Sequence, residues 1–228
     1  MKKYSQQTRI LLAVDCIIFG FDGQELKVLL IKRGFEPFKG QWSLLGGFVQ
    51  ANESAEDAAA RQLKALSGLD GVYMEQLHIF SDPNRDTVER TVSVAFTALI
   101  DIKKYKAQIH DDFHAEWFPL NQHPELIFDH QTMVNKAKDL LRYKATLQPI
   151  LLELMPVRFT LTQLQCLYES VFDQQFDKGN FSRKLLSTAL LVKLTDKDKL
   201  NSKKGAFYYR IDKKNYKRAM MASQLPGM

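Results

Sequence analysis

Cysteine is scarce in this chain, and the two that are present argue against a disulfide framework and a cysteine-based metal site. Cys16 and Cys166 are the only cysteines in 228 residues, and neither has a partner at the spacing of metal ligands. Cys16 lies in an apolar stretch and Cys166 in a helix-like one, so we expect both to be reduced packing residues. Repeats and low-complexity tracts are also missing, which excludes a repeat architecture.

Long hydrophobic runs are missing as well. No stretch reaches the roughly eighteen apolar residues of a membrane span, and the first residues, MKKYSQQTRI, lead into no run of signal-peptide form. We therefore expect a cytoplasmic protein that does not associate with a membrane. A hydrophobic content of 45% is enough to build the cores of one large domain or two modest ones.

Negative charge is scarce in the last third of the chain. Residues 1–155 hold 18 Lys/Arg against 20 Asp/Glu, whereas residues 156–228 hold 14 against 6. A basic segment beside a near-neutral body is typical of proteins that bind a polyanion, although an excess of charge can also be a solvated face. Nucleic acid is therefore a candidate partner.

The first two thirds read as a mixed α/β domain. Residues 10–33 predict a β-hairpin with its turn at GFDGQE, and the spacing of apolar residues predicts a helix from Ser54 to Ser67 that ends at Gly68. Further patterns predict strands at 90–100 and 116–120 and a helix at 129–145. Pro149 and Pro156 mark a junction within residues 146–157, so we predict domains at 1–148 and 149–228.

The segment GGFVQANESAEDAAARQLKALSGL, residues 46–69, resembles the Nudix box, GX5EX7REUXEEXGU with U an aliphatic residue. Six positions fall in register, namely Gly47, Glu53, Arg61, Leu63, Gly68 and Leu69. The resemblance of the surrounding sequence extends over roughly residues 9–145. It implies a Nudix-like domain with a mixed sheet and flanking helices, whose box forms a loop and a helix.

Three helix glutamates of the Nudix box are replaced in this sequence. In that family the glutamates hold divalent cations against a diphosphate, whereas here Gln62, Ala65 and Leu66 occupy their positions. Magnesium requires hard anionic oxygens, so we expect no metal, no cofactor and no hydrolysis. Glu53 and Arg61 are then expected to serve structure, by pairing with each other or capping the loop and helix.

A Nudix-like cleft without catalysis could still bind a polar ligand between aromatic walls and a few fixed polar groups. The resemblance implies candidate effector-binding residues in the strands and loops that frame the cleft, although each charged one could instead be a solvated loop residue. These candidates are Lys32, Arg33, Trp42, Asp82, Arg85 and Arg90.

The basic third predicts a winged helix-turn-helix domain. FTLTQLQCLYESVF (159–172) has a capping-box pattern and amphipathic spacing, and KGNFSRKLLSTAL follows it as a second helix with Phe181, Leu185 and Leu186 facing inward. LLVKLT and AFYYRID then predict a hairpin with Lys199, Lys203 and Lys204 on or near its tip. Two helices followed by a basic hairpin are typical of a winged helix.

In such domains the second helix faces the major groove and the hairpin contacts the DNA backbone or minor groove. The polar residues of the second helix suit phosphates or base edges, and the lysines of the hairpin suit phosphates. The predicted DNA-binding residues are Asn180, Ser182, Arg183, Lys184, Ser187, Lys203 and Lys204.

A degenerate Nudix domain followed by FTLTQLQ and NFSRKLL resembles the Nudix-related transcriptional regulators of the NrtR type. This resemblance implies a homodimeric, ligand-responsive repressor that binds operator DNA. Its effector would be ADP-ribose or, in a sugar-utilisation branch, a pentose. We favour a repressor of sugar-utilisation genes with L-arabinose as the effector, and an ADP-ribose-responsive repressor of NAD metabolism is the alternative.

Two other classes stay open. One is a Nudix hydrolase of ADP-ribose or a sugar nucleotide with an accessory basic domain, which magnesium-dependent turnover would identify. The other is an RNA-associated or protein-interaction module, because a winged helix also suits those roles.

Overall fold

The computed structural model describes residues 6–105, 108, 114–199 and 205–222. Within these residues, seven strands form a mixed sheet and three helices accompany it. The strands are β1 (Leu11–Phe21), β2 (Leu26–Lys32), β3 (Trp42–Ser43), β4 (Leu45–Phe48), β5 (Glu75–Phe80), β6 (Thr91–Asp101) and β7 (Ala115–Pro119). The helices are α1 (Ala55–Ser67), α2 (Ile102–Tyr105) and α3 (His130–Leu147).

Strand β1 organises this sheet. It pairs with β2 in an antiparallel hairpin and with β6 in parallel along its whole length. Residues 13–16 of β1 also pair with β4 in antiparallel orientation. Asp22 fixes the hairpin turn because its carboxylate accepts the backbone N–H groups of Gln24 and Glu25. Helices α1 and α3 cover the two faces of the sheet at this central strand, and every residue from 13 to 21 of β1 is buried accordingly.

Helix α1 begins and ends where its sequence predicts. Ser54 caps it in a reciprocal capping box with Asp57, and Gly68 closes it in a left-handed conformation at φ 76°. Ala58 and Leu63 are buried against one face of the sheet. The opposite face packs against α3, so helices flank both sides of the sheet.

The described residues from 150 onward form a winged helix with a short 3-10 helix (Ile150–Leu154) before it. The elements of the winged helix are β8 (Phe159–Thr160), α4 (Leu161–Phe172), α5 (Lys178–Ser187), β9 (Leu191–Asp198), β10 (Ala206–Ile211) and α6 (Lys213–Ala222). Thr160 and Gln163 form the predicted capping box of α4. The strand order is β8-β10-β9. The predicted fold class, a Nudix-like α/β domain followed by a winged helix, is confirmed.

Three details differ from the sequence prediction. Strand β9 runs on to Asp198, into the segment predicted as loop, and α6 was not predicted. Leu186 does not face inward: it is 44% exposed, whereas Leu185 is buried. Successive helical residues are rotated by about 100°, so the two leucines cannot both face the narrow contact with α4.

One hydrophobic core joins the two parts of the chain. It runs from Phe19 in β1 through Met133 in α3 and Leu151 in the 3-10 helix to Phe159 and Leu167 of the winged helix, all fully buried. The predicted domain boundary between residues 148 and 149 stays a prediction. No helix among the described residues has the length and apolar character needed to cross a membrane.

Candidate effector cleft and nucleic-acid interface

The loop before α1 is held by an ion pair. Arg61 donates to both carboxylate oxygens of Glu53, at 2.9 Å and 2.5 Å, and also to the Phe48 carbonyl at 3.1 Å. Glu53 in turn accepts the backbone N–H of Gln50 at 2.8 Å. The hydrogen bond from Arg61 lowers the pKa of Glu53 to about 2, and the same bond raises the pKa of Arg61. The predicted structural role of both residues is confirmed.

The residues at the three replaced glutamate positions do not fit a metal ion. Gln62 lies against Gly47, where a Cβ atom would stand only 2.1 Å from the Gln62 amide nitrogen. Ala65 is exposed, and Leu66 packs against the core under α1. In the part of the chain that the structure describes, no group of three or more His, Cys, Asp or Glu side chains could hold a metal. A divalent cation of the Nudix type would lack its anionic ligands here.

A cleft of about 940 Å³ opens beside β3 and the start of α3. Its walls are aromatic and polar, and they include two of the predicted effector residues, Trp42 and Arg85. The lining residues are Phe38, Gly40, Gln41, Trp42, Asn84, Arg85, Thr87, Pro124, Glu125, Leu126, Ile127, Phe128 and Asp129.

Two aromatic residues of this cleft have a strained backbone. Phe38 has φ 65° and Phe128 has φ 52°, and their rings meet edge to face with centroids 5.2 Å apart. A bulky residue with positive φ is uncommon and persists only where the surrounding structure imposes it, most often at ligand sites. The strained backbone therefore indicates that the surrounding structure holds these two rings in fixed positions in the cleft wall.

Arg85 lies at the base of the cleft in a pair with Asp129. Its guanidinium donates to the Asp129 carboxylate at 3.0 Å and 2.7 Å, and its side chain is only 3% exposed. The same guanidinium stands 3.6 Å from the Asp15 carboxylate on β1. Three elements, namely β1, the loop before β6 and the start of α3, thus meet at one buried cation.

His130 continues this buried network. Its Nδ1 accepts the backbone N–H of Leu44 at 3.1 Å, and its Nε2 lies 3.4 Å from Asp15. A backbone amide can only donate, so Nδ1 carries no proton and the ring is the neutral Nε2–H tautomer. Burial lowers the pKa of His130 and outweighs the opposing charges of Asp15 and Asp129. Ser93 donates to the other Asp15 oxygen at 2.6 Å.

Four predicted effector residues do not line the cleft. The Lys32 ammonium stands 5.9 Å from the Trp42 ring centroid, beside the cleft, and Arg33 donates to the Pro37 carbonyl at 3.0 Å. Asp82 accepts the Asn84 backbone N–H, and Arg90 donates to the backbone carbonyls of residues 81, 82 and 91. Asp82 and Arg90 shape the loop that carries Arg85. Their assignment as effector-binding residues stays a prediction.

Helix α3 connects the cleft to the winged helix. It begins at Asp129 and His130, and further along it Lys138 and Arg142 both donate to Asp173, at 2.8 Å and 2.7 Å. Asp173 ends α4 in a left-handed conformation, and Arg142 also donates to the Val171 carbonyl at 3.0 Å. Partial burial alone would raise the pKa of Asp173, but the hydrogen bonds and charges of Lys138 and Arg142 together outweigh it and lower that pKa. A rigid element therefore runs from the cleft to α4.

The predicted reading helix α5 presents polar side chains to solvent. Asn180, Arg183, Lys184 and Ser187 are exposed, and Ser182 is half-buried. Arg183 donates to the Asn180 side-chain oxygen at 2.6 Å, so these two residues act as one unit. Lys203 and Lys204, predicted for the tip of the wing, lie outside the described residues. Lys199, just before that tip, is exposed.

Both parts of the chain match known families. Residues 9–141 match the family described as NUDIX domain, and residues 151–211 match the one described as NrtR DNA-binding winged helix domain. Among curated proteins, the ADPR responsive transcriptional repressor NtrR of Acinetobacter baylyi is 35% identical over 210 residues, which cover 90% of this chain and 84% of that protein. An ADP-ribose pyrophosphatase of Methanocaldococcus jannaschii is 37% identical over 145 residues, 63% of this chain and 80% of its own length.

Solved structures show the same two-part likeness. Shewanella oneidensis NrtR in complex with a 27mer DNA has a TM-score of 0.74 at 30% identity, over 90% of this chain and 95% of that one. The NUDIX domain of the same protein, complexed with ADP ribose, has a TM-score of 0.53 at 32% identity over 61% of this chain and 94% of that one. With its Nudix domain, its winged helix and this extent of identity, the chain belongs to the NrtR family of Nudix-related transcriptional regulators.

Proposed function

We propose that this protein is a DNA-binding transcriptional repressor whose Nudix domain binds ADP-ribose as an effector. One observation carries the proposal: the Nudix cleft keeps aromatic and charged walls, has lost the glutamates of catalysis, and is joined to a winged helix by α3. Because ADP-ribose is bound and not hydrolysed, the fraction of protein with ligand in the cleft follows the ADP-ribose concentration. The repressor acts as a homodimer on a palindromic operator, because two winged helices on a dyad read more bases than one.

ADP-ribose suits the cleft better than the L-arabinose favoured by the sequence analysis. A volume of about 940 Å³ is at the upper end of ligand pockets, which run from about 300 to 1,000 Å³. A pentose would leave most of that space to water, whereas ADP-ribose, with a base, two sugars and a diphosphate, would occupy more of it. A relative named as responsive to ADPR and a related NUDIX domain complexed with ADP ribose favour the same ligand. No comparison supports the arabinose-responsive branch.

Hydrolysis of ADP-ribose is the second candidate function, and the likeness to an ADP-ribose pyrophosphatase favours it. That likeness covers the Nudix part of the chain only, and hydrolysis does not account for the winged helix. Gln62 offers one neutral amide oxygen, and Ala65 and Leu66 offer none. Because magnesium needs anionic oxygen ligands to act on a diphosphate, the sequence around α1 favours a binding role.

Helix α3 is the route by which the cleft controls the winged helix. Asp129 at its start lines the cleft and holds Arg85, and Lys138 and Arg142, in the middle and second half of the helix, hold Asp173 of α4. A diphosphate in the cleft attracts the buried Arg85 guanidinium through the cleft wall and so weakens its pairing with Asp129. A small rotation of α3 then moves α4 and, through it, the reading helix. The ligand can change DNA affinity only to the extent that it binds one arrangement of α3 and the winged helix more tightly than the other.

The test uses operator duplexes that the protein itself selects from a random-sequence pool. Their affinity is measured with ADP-ribose, L-arabinose, AMP or no ligand. A coupling of about 1–3 kcal/mol predicts that ADP-ribose weakens binding roughly 5- to 150-fold, and that operator DNA weakens ADP-ribose binding by the same factor. Equal operator affinity in all four conditions would reject the effector role. Selection of no duplex, or binding abolished by nonspecific competitor DNA, would favour an RNA-associated or protein-interaction module.

A further inference from the structure

Helix α6 (Lys213–Ala222) carries a concentrated basic surface beyond residues 151–211, the part that matches the winged helix family. Four cations stand within six residues, Lys213, Lys214, Lys217 and Arg218, and all four are exposed. The helix itself contains no Asp or Glu. Among the described residues, no carboxylate forms a salt bridge with any of them.

These cations are placed where they destabilise the helix of the free protein. Lys213 and Lys217 are like charges four residues apart, and so are Lys214 and Arg218, which makes each pair repulsive. Lys213 and Lys214 also lie in the first turn, where the helix dipole disfavours positive charge. One carboxylate partly offsets this, because Asp212 accepts the backbone N–H of Asn215 at 3.0 Å. A polyanion that binds this surface would relieve both repulsions.

The position of α6 places this surface beside the reading helix. The Asn215 side chain donates to the Ala189 carbonyl at 3.0 Å, just past the end of α5, and the Asp212 backbone N–H donates to the Leu190 carbonyl at 2.8 Å. On the inner side, Tyr216 donates to Glu153 at 2.8 Å and packs against the core. The start of α6 is thus anchored to the segment just after α5, and within the described part of the chain no carboxylate pairs with its basic side chains.

We propose that α6 is a phosphate-binding helix that extends the DNA contact of the winged helix beyond α5 and the wing. The inference rests on the proposed DNA-binding function. The partner is the backbone of duplex DNA, because flexible ammonium groups suit phosphates as point charges, and contacts to phosphate carry no sequence information. Arg210, near the end of the strand that leads into α6, is a further exposed cation.

The salt dependence of binding tests the proposal without knowledge of the operator. Binding of the full chain to a labelled random-sequence 30-base-pair duplex is measured by fluorescence anisotropy over a range of KCl concentrations. Each lost phosphate contact reduces the slope of log K against log [KCl] by about 0.9. We expect Lys213→Gln/Lys214→Gln to reduce the slope by about 1.8, with the largest loss of affinity at low salt. Lys213→Arg/Lys214→Arg keeps both charges and should keep the wild-type slope.

The control removes two exposed charges from the Nudix domain, as Lys39→Gln/Lys136→Gln. A slope that falls in the α6 variant and not in the control supports phosphate contacts from α6. Wild-type binding with an unchanged slope in Lys213→Gln/Lys214→Gln overturns the α6 proposal and leaves the DNA-binding function standing. An equal fall in both double variants also overturns it, because the effect would be one of net charge. Failure of the wild type to bind any duplex rejects the proposed function itself.

Discussion

The carboxylate of Asp129 receives two hydrogen bonds from the guanidinium of Arg85, although Asp129 stands at the N-cap of α3. That carboxylate makes no capping hydrogen bond to its own helix. An N-cap aspartate usually accepts a backbone N–H of the first helical turn, so here a loop residue of the cleft takes the place of the helix amides. The start of α3 is therefore fixed by a buried side chain in the wall of the cleft.

Replacement of Arg85 by methionine should destabilise the fold strongly. The change leaves the Asp15 and Asp129 carboxylates close together without their shared cation, and loss of one partner of a buried pair costs about 3–5 kcal/mol. The free energy of unfolding is measured by urea denaturation. Arg9→Met removes an exposed arginine and should change that free energy by no more than about 0.5 kcal/mol. Equal losses in the two variants would show that the Arg85 pair does not stabilise the fold.

Stability should also fall on mild acidification because of His130. Burial lowers its pKa in the folded state, so the unfolded chain takes up a proton first as the pH drops. The stabilisation is complete above the unfolded pKa of about 6.5 and is lost as the pH falls below it. A proton on Nδ1 would also leave the Leu44 N–H without its acceptor. The measurement is the free energy of unfolding between pH 8 and pH 5.5, where His130→Asn should show a smaller decline than the wild type.

Elements with local signals were predictable from the sequence. Ser54 and Gly68 bound α1 because a hydroxyl cap and a glycine stop act within a few residues, and Thr160 with Gln163 starts α4 for the same reason. Helix α6 escaped prediction because KKNYKRAMMA is short and strongly polar overall, and its position depends on tertiary contacts such as Tyr216 with Glu153.

The cleft was predictable only in part. Trp42 and Arg85 were found through the resemblance to the Nudix framework, but Asp129 lies 44 residues from Arg85 and no local pattern pairs them. Asp15 did leave a signal that the sequence reading overlooked, since a single carboxylate inside the apolar run ILLAVDCIIF must be paired when its strand is buried.

The route through α3 predicts that its contacts with Asp173 transmit the effector signal. In Lys138→Met/Arg142→Met, ADP-ribose should bind the free protein as it does the wild type, because the cleft is unchanged. The effect of ADP-ribose on operator affinity should fall by about 0.5–2 kcal/mol. Isothermal titration gives the first quantity and gel shifts with and without ligand give the second. Lys136→Met, an exposed change on the same helix, serves as control. Full coupling in the double variant would exclude this route.

The purified protein should release no AMP from ADP-ribose in magnesium above a mock preparation, because Gln62, Ala65 and Leu66 supply no carboxylate. Conversely, Gln62→Glu/Ala65→Glu places two carboxylates three residues apart on α1 and should bind Mn²⁺, detected by electron paramagnetic resonance, more tightly than the wild type. Both side chains are at least partly exposed, so the double variant should fold. Magnesium-dependent turnover by the wild type would establish the hydrolase alternative.

Helix α5 and the wing should contribute differently to DNA binding. Arg183→Ala should cost about 1–3 kcal/mol on the selected operator and relax specificity at one position, because an arginine that contacts a base edge carries sequence information. Asn180→Ala removes the acceptor that orients the Arg183 guanidinium at 2.6 Å, so it should relax specificity at the same position with a smaller loss of affinity.

Lys203→Ala/Lys204→Ala should weaken binding almost equally across sequences and reduce the salt slope by up to about 1.8, as expected for two phosphate contacts. Gel shifts over a panel of single-base operator variants distinguish these patterns. If Arg183→Ala weakens all duplexes equally, α5 binds the backbone and does not read bases. If none of the three variants changes affinity, α5 and the wing are not the DNA-binding surface.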